Sequence, residues 1–174
     1  GPPDHTLRSL AAKGPLDAKA IITETDRLLD STRGDRFLRL FTEQWLGLNK
    51  LGTMPPSKET FPAYHIDRLE PAMKEETWRF IAELIRTNQP VTALVDADFT
   101  YLNAGLARLY EVDFETISQS DKETGRQPDK ETPKSNTVSP SPSLIVSPSG
   151  LMRVSLPADS LRRGLLSHAS VLTI

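Results

Sequence analysis

Asp96-Ala-Asp-Phe-Thr-Tyr-Leu-Asn-Ala-Gly-Leu-Ala-Arg-Leu-Tyr110 is the stretch whose reading decides the fold. An acidic turn is followed by Thr100 as a helix cap, and then by Leu102, Leu106, Leu109 and Tyr110 at helical spacing. Gly105 inside such a helix costs about 1 kcal/mol relative to Ala, so it marks a close crossing with another helix. One capped, amphipathic helix after a short acidic turn predicts a mainly helical body.

Upstream the same grammar repeats. Asp4 is placed to cap a helix carrying Leu7, Leu10 and Ala11 that stops at Gly14. Asp17 is placed to cap a second, with Ala18, Ile21, Thr25, Leu28 and Leu29 on one face, ending near Gly34. Asp35 is read as the cap of a third. There Phe37, Leu38, Leu40, Phe41, Trp45 and Leu48 give a wide apolar face, which predicts a largely buried, central helix. Gly52, Pro55, Pro56 and Pro62 make the next segment a loop. A long helix then runs from about Asp67 or Pro71 to Thr87, with Leu69, Met73, Phe80, Leu84 and Ile85 inward. Glu70, Glu75 and Glu76 share that helix with Lys74 and Arg79 and read as a solvated face. Asn88-Gln-Pro90 ends it and opens a short helix through Leu94 and Val95.

Downstream the character changes. Residues 117–150 hold eight Ser and five Pro, too little apolar surface to offset chain entropy, which predicts a flexible insert in which only Leu144 to Val146 is suited to docking. Met152 to Leu156 alternates like a short strand, and an apolar stretch follows from Leu165. The expected fold class is therefore mainly α: an irregular multi-helix bundle with a long disordered insert and a short strand or terminal segment. Its divisions are a helical domain over 4–116, the insert over 117–150, and a truncated second module over 151–174.

Composition narrows the function classes. With 21 basic and 23 acidic residues interspersed, no basic stripe exists to capture nucleic acid. No apolar run approaches the roughly 18–20 residues of a membrane helix, so no membrane insertion is expected. The absence of cysteine excludes disulfides, thiolate metal sites and covalent haem attachment within these residues. The chain begins Gly1-Pro2 and stops at Ile174 in mid-pattern, and it reads as part of something longer.

Four landmarks in order resemble a helical family of unknown function found in large secreted, cytochrome-like proteins of planctomycete-type bacteria. They are Arg36 to Leu48 with its Trp-Leu-x-Leu ending, Phe61-Pro-Ala-Tyr64 with Met73-Lys-Glu-Glu-Thr77, Asp98 to Tyr110, and Arg163-Gly-Leu-Leu-Ser-His-Ala-Ser to Thr173. The fourth looks like the start of the adjoining module. The chain departs from the pattern at Glu111-Val112, where a Gly is usual, and in its long insert. The resemblance implies a periplasmic or secreted setting and flanking domains of the same protein as partners. It places haem in neighbouring modules and no cofactor in this chain.

Five motif positions are singled out for chemistry: Asp96, Asp98, Thr100, Asn103 and His168. Asp96 and Asp98 are spaced to share a divalent cation, but turn and cap roles account for them more simply. Asn103, if buried, is expected to bond the backbone of the preceding loop. His168, flanked by Ser167 and Ser170, lacks the Gly-x-Ser-x-Gly elbow of a hydrolase. His5, His65 and His168 have no metal-ligand spacing, and Trp45 and Trp78 read as core. The preferred reading is a non-catalytic structural or interaction module. A carbohydrate-binding or carbohydrate-processing module is the first alternative, and a divalent-metal domain at Asp96 and Asp98 the second.

Overall fold

The structure, a computed structural model, describes residues 2–112, 150–157 and 159–173. The expected flexible insert, including Leu144 to Val146, lies outside the described residues apart from Gly150.

Capping builds the N-terminal part as the side chains dictate. Asp4 Oδ1 accepts from the Leu7 amide at 2.9 Å and starts α1 (His5–Ala11); Asp17 Oδ1 accepts from the Ala20 amide at 2.7 Å and starts α2 (Ala18–Leu29). The third helix begins earlier than expected. Ser31, not Asp35, caps α3 (Thr32–Trp45), its Oγ accepting from the Gly34 amide at 3.2 Å. Gly34 therefore belongs to α3 rather than ending α2. A Cβ built on it falls 2.2 Å from the Leu29 carbonyl oxygen and 2.5 Å from that of Leu28, so glycine closes the α2–α3 corner. Asp35 is left to pair with Arg86, whose guanidinium also donates to the Leu29 carbonyl at 3.0 Å.

The long helix is α5 (Leu69–Arg86), preceded by a 3₁₀ turn (Leu48–Lys50) and by α4 (Pro62–Ile66). Pro71 sits in the first turn of α5, where its missing N–H leaves no intrahelical bond unmade. One apolar cluster gathers Leu51, Tyr64, Leu69, Met73, Leu102, Leu106, Leu151 and Val154 about the first half of α5. A second gathers Phe80, Ile81, Leu84, Ala97, Phe99 and Leu165 about the other half. α5 is thus the central element. α3 is not: Leu38 and Thr42 are fully buried, but Phe37, Phe41 and Trp45 are 58%, 41% and 51% exposed. The helix is apolar on two faces, and the described elements cover only the one toward α5.

After α6 (Ala93–Asp96), Phe99–Leu102 is not a helix start but a strand, β1. It pairs antiparallel with β2 (Met152–Ser155), Phe99 opposite Ser155 and Leu102 opposite Met152. The aromatic and β-branched run Phe-Thr-Tyr suits a pleated surface, and its partner comes from the far side of the insert. Thr100 is accordingly not a cap. Asn103 starts α7 (Ala104–Leu109) instead, its Oδ1 accepting from the Leu106 amide at 2.9 Å. Replacing Asn103 by Ala is expected to cost about 1 kcal/mol in urea denaturation, with Asp restoring most of it. Gly105 marks the close crossing anticipated for it: a Cβ there would approach Leu69 Cδ2 to 2.9 Å. A 3₁₀ turn (Leu165–Ser167) and α8 (Ala169–Leu172) complete the described chain. No helix among the described residues is long and apolar enough to cross a membrane.

Candidate functional site

The inward stripe of α5 runs Leu69, Met73, Glu76, Thr77, Phe80, Leu84. Two polar residues on an apolar stripe need partners, and three other elements supply them. β1 turns Thr100 inward, the end of α7 brings Tyr110, and the start of α8 brings His168 and Ser170. Glu76, Thr77 and Ser170 are fully buried, and His168, Thr100 and Tyr110 nearly so.

Glu76 is the hub. Thr100 Oγ1 donates to its Oε1 at 2.7 Å, and Tyr110 Oη donates to its Oε2 at 2.6 Å. Tyr110 Oη in turn accepts from the Ala169 amide at 2.8 Å. His168 Nδ1 lies 3.1 Å from Thr77 Oγ1, and its Nε2 lies 3.5 Å from Thr100 Oγ1 and 3.9 Å from Glu76 Oε1. Thr77 and Ser170 hydroxyls are hydrogen-bonded at 2.5 Å. The Phe80 ring meets the imidazole edge-on at 4.8 Å, and the Arg162 guanidinium lies over the Tyr110 ring at 4.5 Å. Glu76, Thr100, Tyr110, Arg162, Ser167 and His168 help enclose a cavity of about 10 Å³, which takes one water and nothing larger.

Burial sets the protonation. It pushes the Glu76 carboxyl up to about 7, against the downward pull of the Tyr110 and Thr100 hydroxyls and of Arg162. It pulls His168 down to about 3, so the imidazole is neutral. Burial, and then the Glu76 carboxylate, hold the Tyr110 phenol well above its ordinary value. Two hydrogen-bond patterns satisfy the same atoms. With Glu76 ionised, Thr100 and Tyr110 both donate to it, and Thr77 donates to His168 Nδ1. With Glu76 protonated on Oε1, it donates to Thr100, which turns its own hydroxyl toward His168 Nε2, while Nδ1–H donates to Thr77. The same side chains can thus stay hydrogen-bonded with Glu76 either ionised or protonated.

Of the five positions singled out by sequence, Thr100 and His168 enter this network. Asn103 caps α7. Asp96 lies outside, paired with Arg163 Nη1 at 2.8 Å on a side chain 75% exposed. Asp98 is exposed, and its carbonyl accepts from the Leu156 amide at 2.6 Å. Among the described residues no group of three or more His, Cys, Asp or Glu is placed to hold a metal ion. Glu76 corrects an expectation: it is buried, not on a solvated face. Thr77, Tyr110 and Ser170 also went unread as polar partners. The available signal was local. Glu70 and Glu75 take Lys74 and Arg79 as i,i+4 partners, at 2.6 and 3.0 Å. Glu76 has Met73 and Phe80 at those spacings, a carboxylate in an apolar stripe.

These residues lie on three of the four sequence landmarks. The profile of a family described as "Protein of unknown function (DUF1592)" matches residues 1–112, and the chain belongs to that family. None of the curated proteins and none of the solved structures gives a match. Glu76, Thr77, Thr100 and Tyr110 fall inside the matched span; His168 and Ser170 fall beyond it.

Proposed function

We propose that this chain is a non-catalytic structural module of a larger secreted or periplasmic, haem-associated multidomain protein. Its task is to fix the path of the polypeptide from the helical domain, residues 4–116, into an adjoining module that starts with residues 151–174. The observation that carries this reading is the placement of the polar network. Its acid–base groups are buried, bonded to one another and next to a cavity of about 10 Å³, the size of one water, which supports a structural role over a catalytic one. They join α5, β1 and α7 to residues 168–170, which makes them a latch for the C-terminal segment. The secreted, haem-associated setting rests on the resemblance of the landmarks to cytochrome-like proteins, and any haem belongs to neighbouring modules.

The latch is tested by introducing a protease site within 117–150 and cutting the folded chain. The C-terminal piece is expected to co-migrate with the helical piece in gel filtration at pH 6. Glu76→Ala or His168→Ala should release it. Separation of the two pieces of the nicked wild type would refute the latch.

A carbohydrate-binding reading draws on one observation, the exposed rings of Phe37, Phe41 and Trp45 in a row along α3. Tryptophan emission that shifts on adding oligosaccharides, and fails to do so in Trp45→Ala, would favour it.

A further inference from the structure

The outer face of α3 carries a ridge beside a hollow. The ridge is the ring series Phe37, Phe41, Trp45, with centroids 6.0 and 5.6 Å apart. The hollow, about 380 Å³, lies between α3, the end of α5 and the segment leading into α6. Its lining includes Phe41, Trp45, Leu84, Ile85, Pro90 and Val91, and contains no charged residue. Val91 is 76% exposed and Ile85 37%. Ridge and hollow share Phe41 and Trp45, so they lie side by side on one surface.

We propose that this face is a self-association surface, on which the ridge of one copy seats in the hollow of a second copy about a two-fold axis. Two arguments select a second copy as occupant. The first is self-complementarity. A two-fold interface uses one patch twice, and a convex apolar row beside a concave apolar hollow is the arrangement such an interface needs. The second is area. Three rings about half exposed offer roughly 300 Å², since each aromatic side chain presents ~150–250 Å² when free. With Ile85 and Val91 the face reaches the order of 500 Å² per copy, toward the upper end for a monomer's largest patch. Doubled, that is about 1,000 Å², the threshold of specific interfaces, which fits a weak, concentration-dependent dimer. A sugar would leave the uncharged hollow short of hydrogen-bonding groups, since its polar side-chain groups are the Asn88 and Gln89 amides and the Trp45 indole N–H.

Sedimentation velocity of the whole 174-residue chain from about 1 to 200 µM tests this. The wild type should move from monomer toward dimer. Phe37→Arg on the ridge and Val91→Arg by the hollow should each weaken association at least tenfold, with an unchanged thermal melt. Ile22→Arg, on an exposed position of α2, should dimerise like the wild type. A monomer throughout the range overturns the proposal, as does a dimer that survives both face variants or is lost in Ile22→Arg. Binding of an oligosaccharide to Trp45 in a chain that stays monomeric also overturns it.

Discussion

Glu76→Gln is expected to convert a nearly pH-independent stability into a steep one. Glu76 titrates near 7 in the fold against 4.5 unfolded. Its contribution is therefore fully present below 4.5 and is lost as pH rises to 7, amounting to about 3 kcal/mol. His168 titrates near 3 in the fold against 6.5 unfolded, so its contribution is present above 6.5 and lost as pH falls toward 3. Between about pH 4.5 and 6.5 the folded chain keeps a proton on Glu76 that the unfolded chain has lost. Over the same range it lacks the proton that unfolded His168 has gained. The two slopes oppose, and stability is flat. The Gln variant keeps only the histidine slope, so stability should rise with pH across that window by the slope of one proton. His168→Gln should show the reverse slope. Urea denaturation from pH 4 to 8 reads both, and a Gln variant as flat as the wild type would contradict the compensation. Glu76→Ala should be more damaging at every pH. It leaves the Thr100 hydroxyl without its acceptor and the Tyr110 phenol without its own, and it opens a cavity, together about 3–5 kcal/mol.

Gly34→Ala is expected to destabilise by more than about 3 kcal/mol, although the same change inside an ordinary helix gains about 1 kcal/mol. The added methyl would meet two carbonyl oxygens of α2 at 2.2 and 2.5 Å. Both are backbone, so α2 and α3 must move apart, and the Arg86 bonds to Leu29 and Asp35 move with them. Gly105→Ala is the control. Its closest contact is the end of the Leu69 side chain at 2.9 Å, which can rotate away, so a cost near 1 kcal/mol is expected. Thermal melts rank the two, and a stabilised Gly34→Ala would show the corner to be more open than described.

Much of the fold was legible because its signals are local. Asp4 and Asp17 cap the helices assigned to them, α5 keeps its anticipated span within two residues, and Met152 alternates into a strand as read. What escaped depends on partners distant in the chain. Phe99 to Leu102 becomes a strand because Met152 to Ser155 lies beside it, and no local pattern names that pairing. α3 showed a wide apolar face, but periodicity does not say how much of a face neighbours will cover. Glu76 was grouped with Lys74 and Arg79 by proximity, whereas its partners Thr100 and Tyr110 come from other elements. The candidate site was thus half visible, in Thr100 and His168, without the carboxylate that joins them.

The antiparallel pair also imposes an order on synthesis. β1 and the Glu76 cluster emerge from the ribosome well ahead of β2 and His168. At ~5–20 residues per second that interval is on the order of seconds, long compared with helix formation. Throughout it, β1 is an unpaired edge and the carboxylate can still be hydrated. Until β2 is available the β1 edge is open to pairing with another chain, and arrival of β2 closes it.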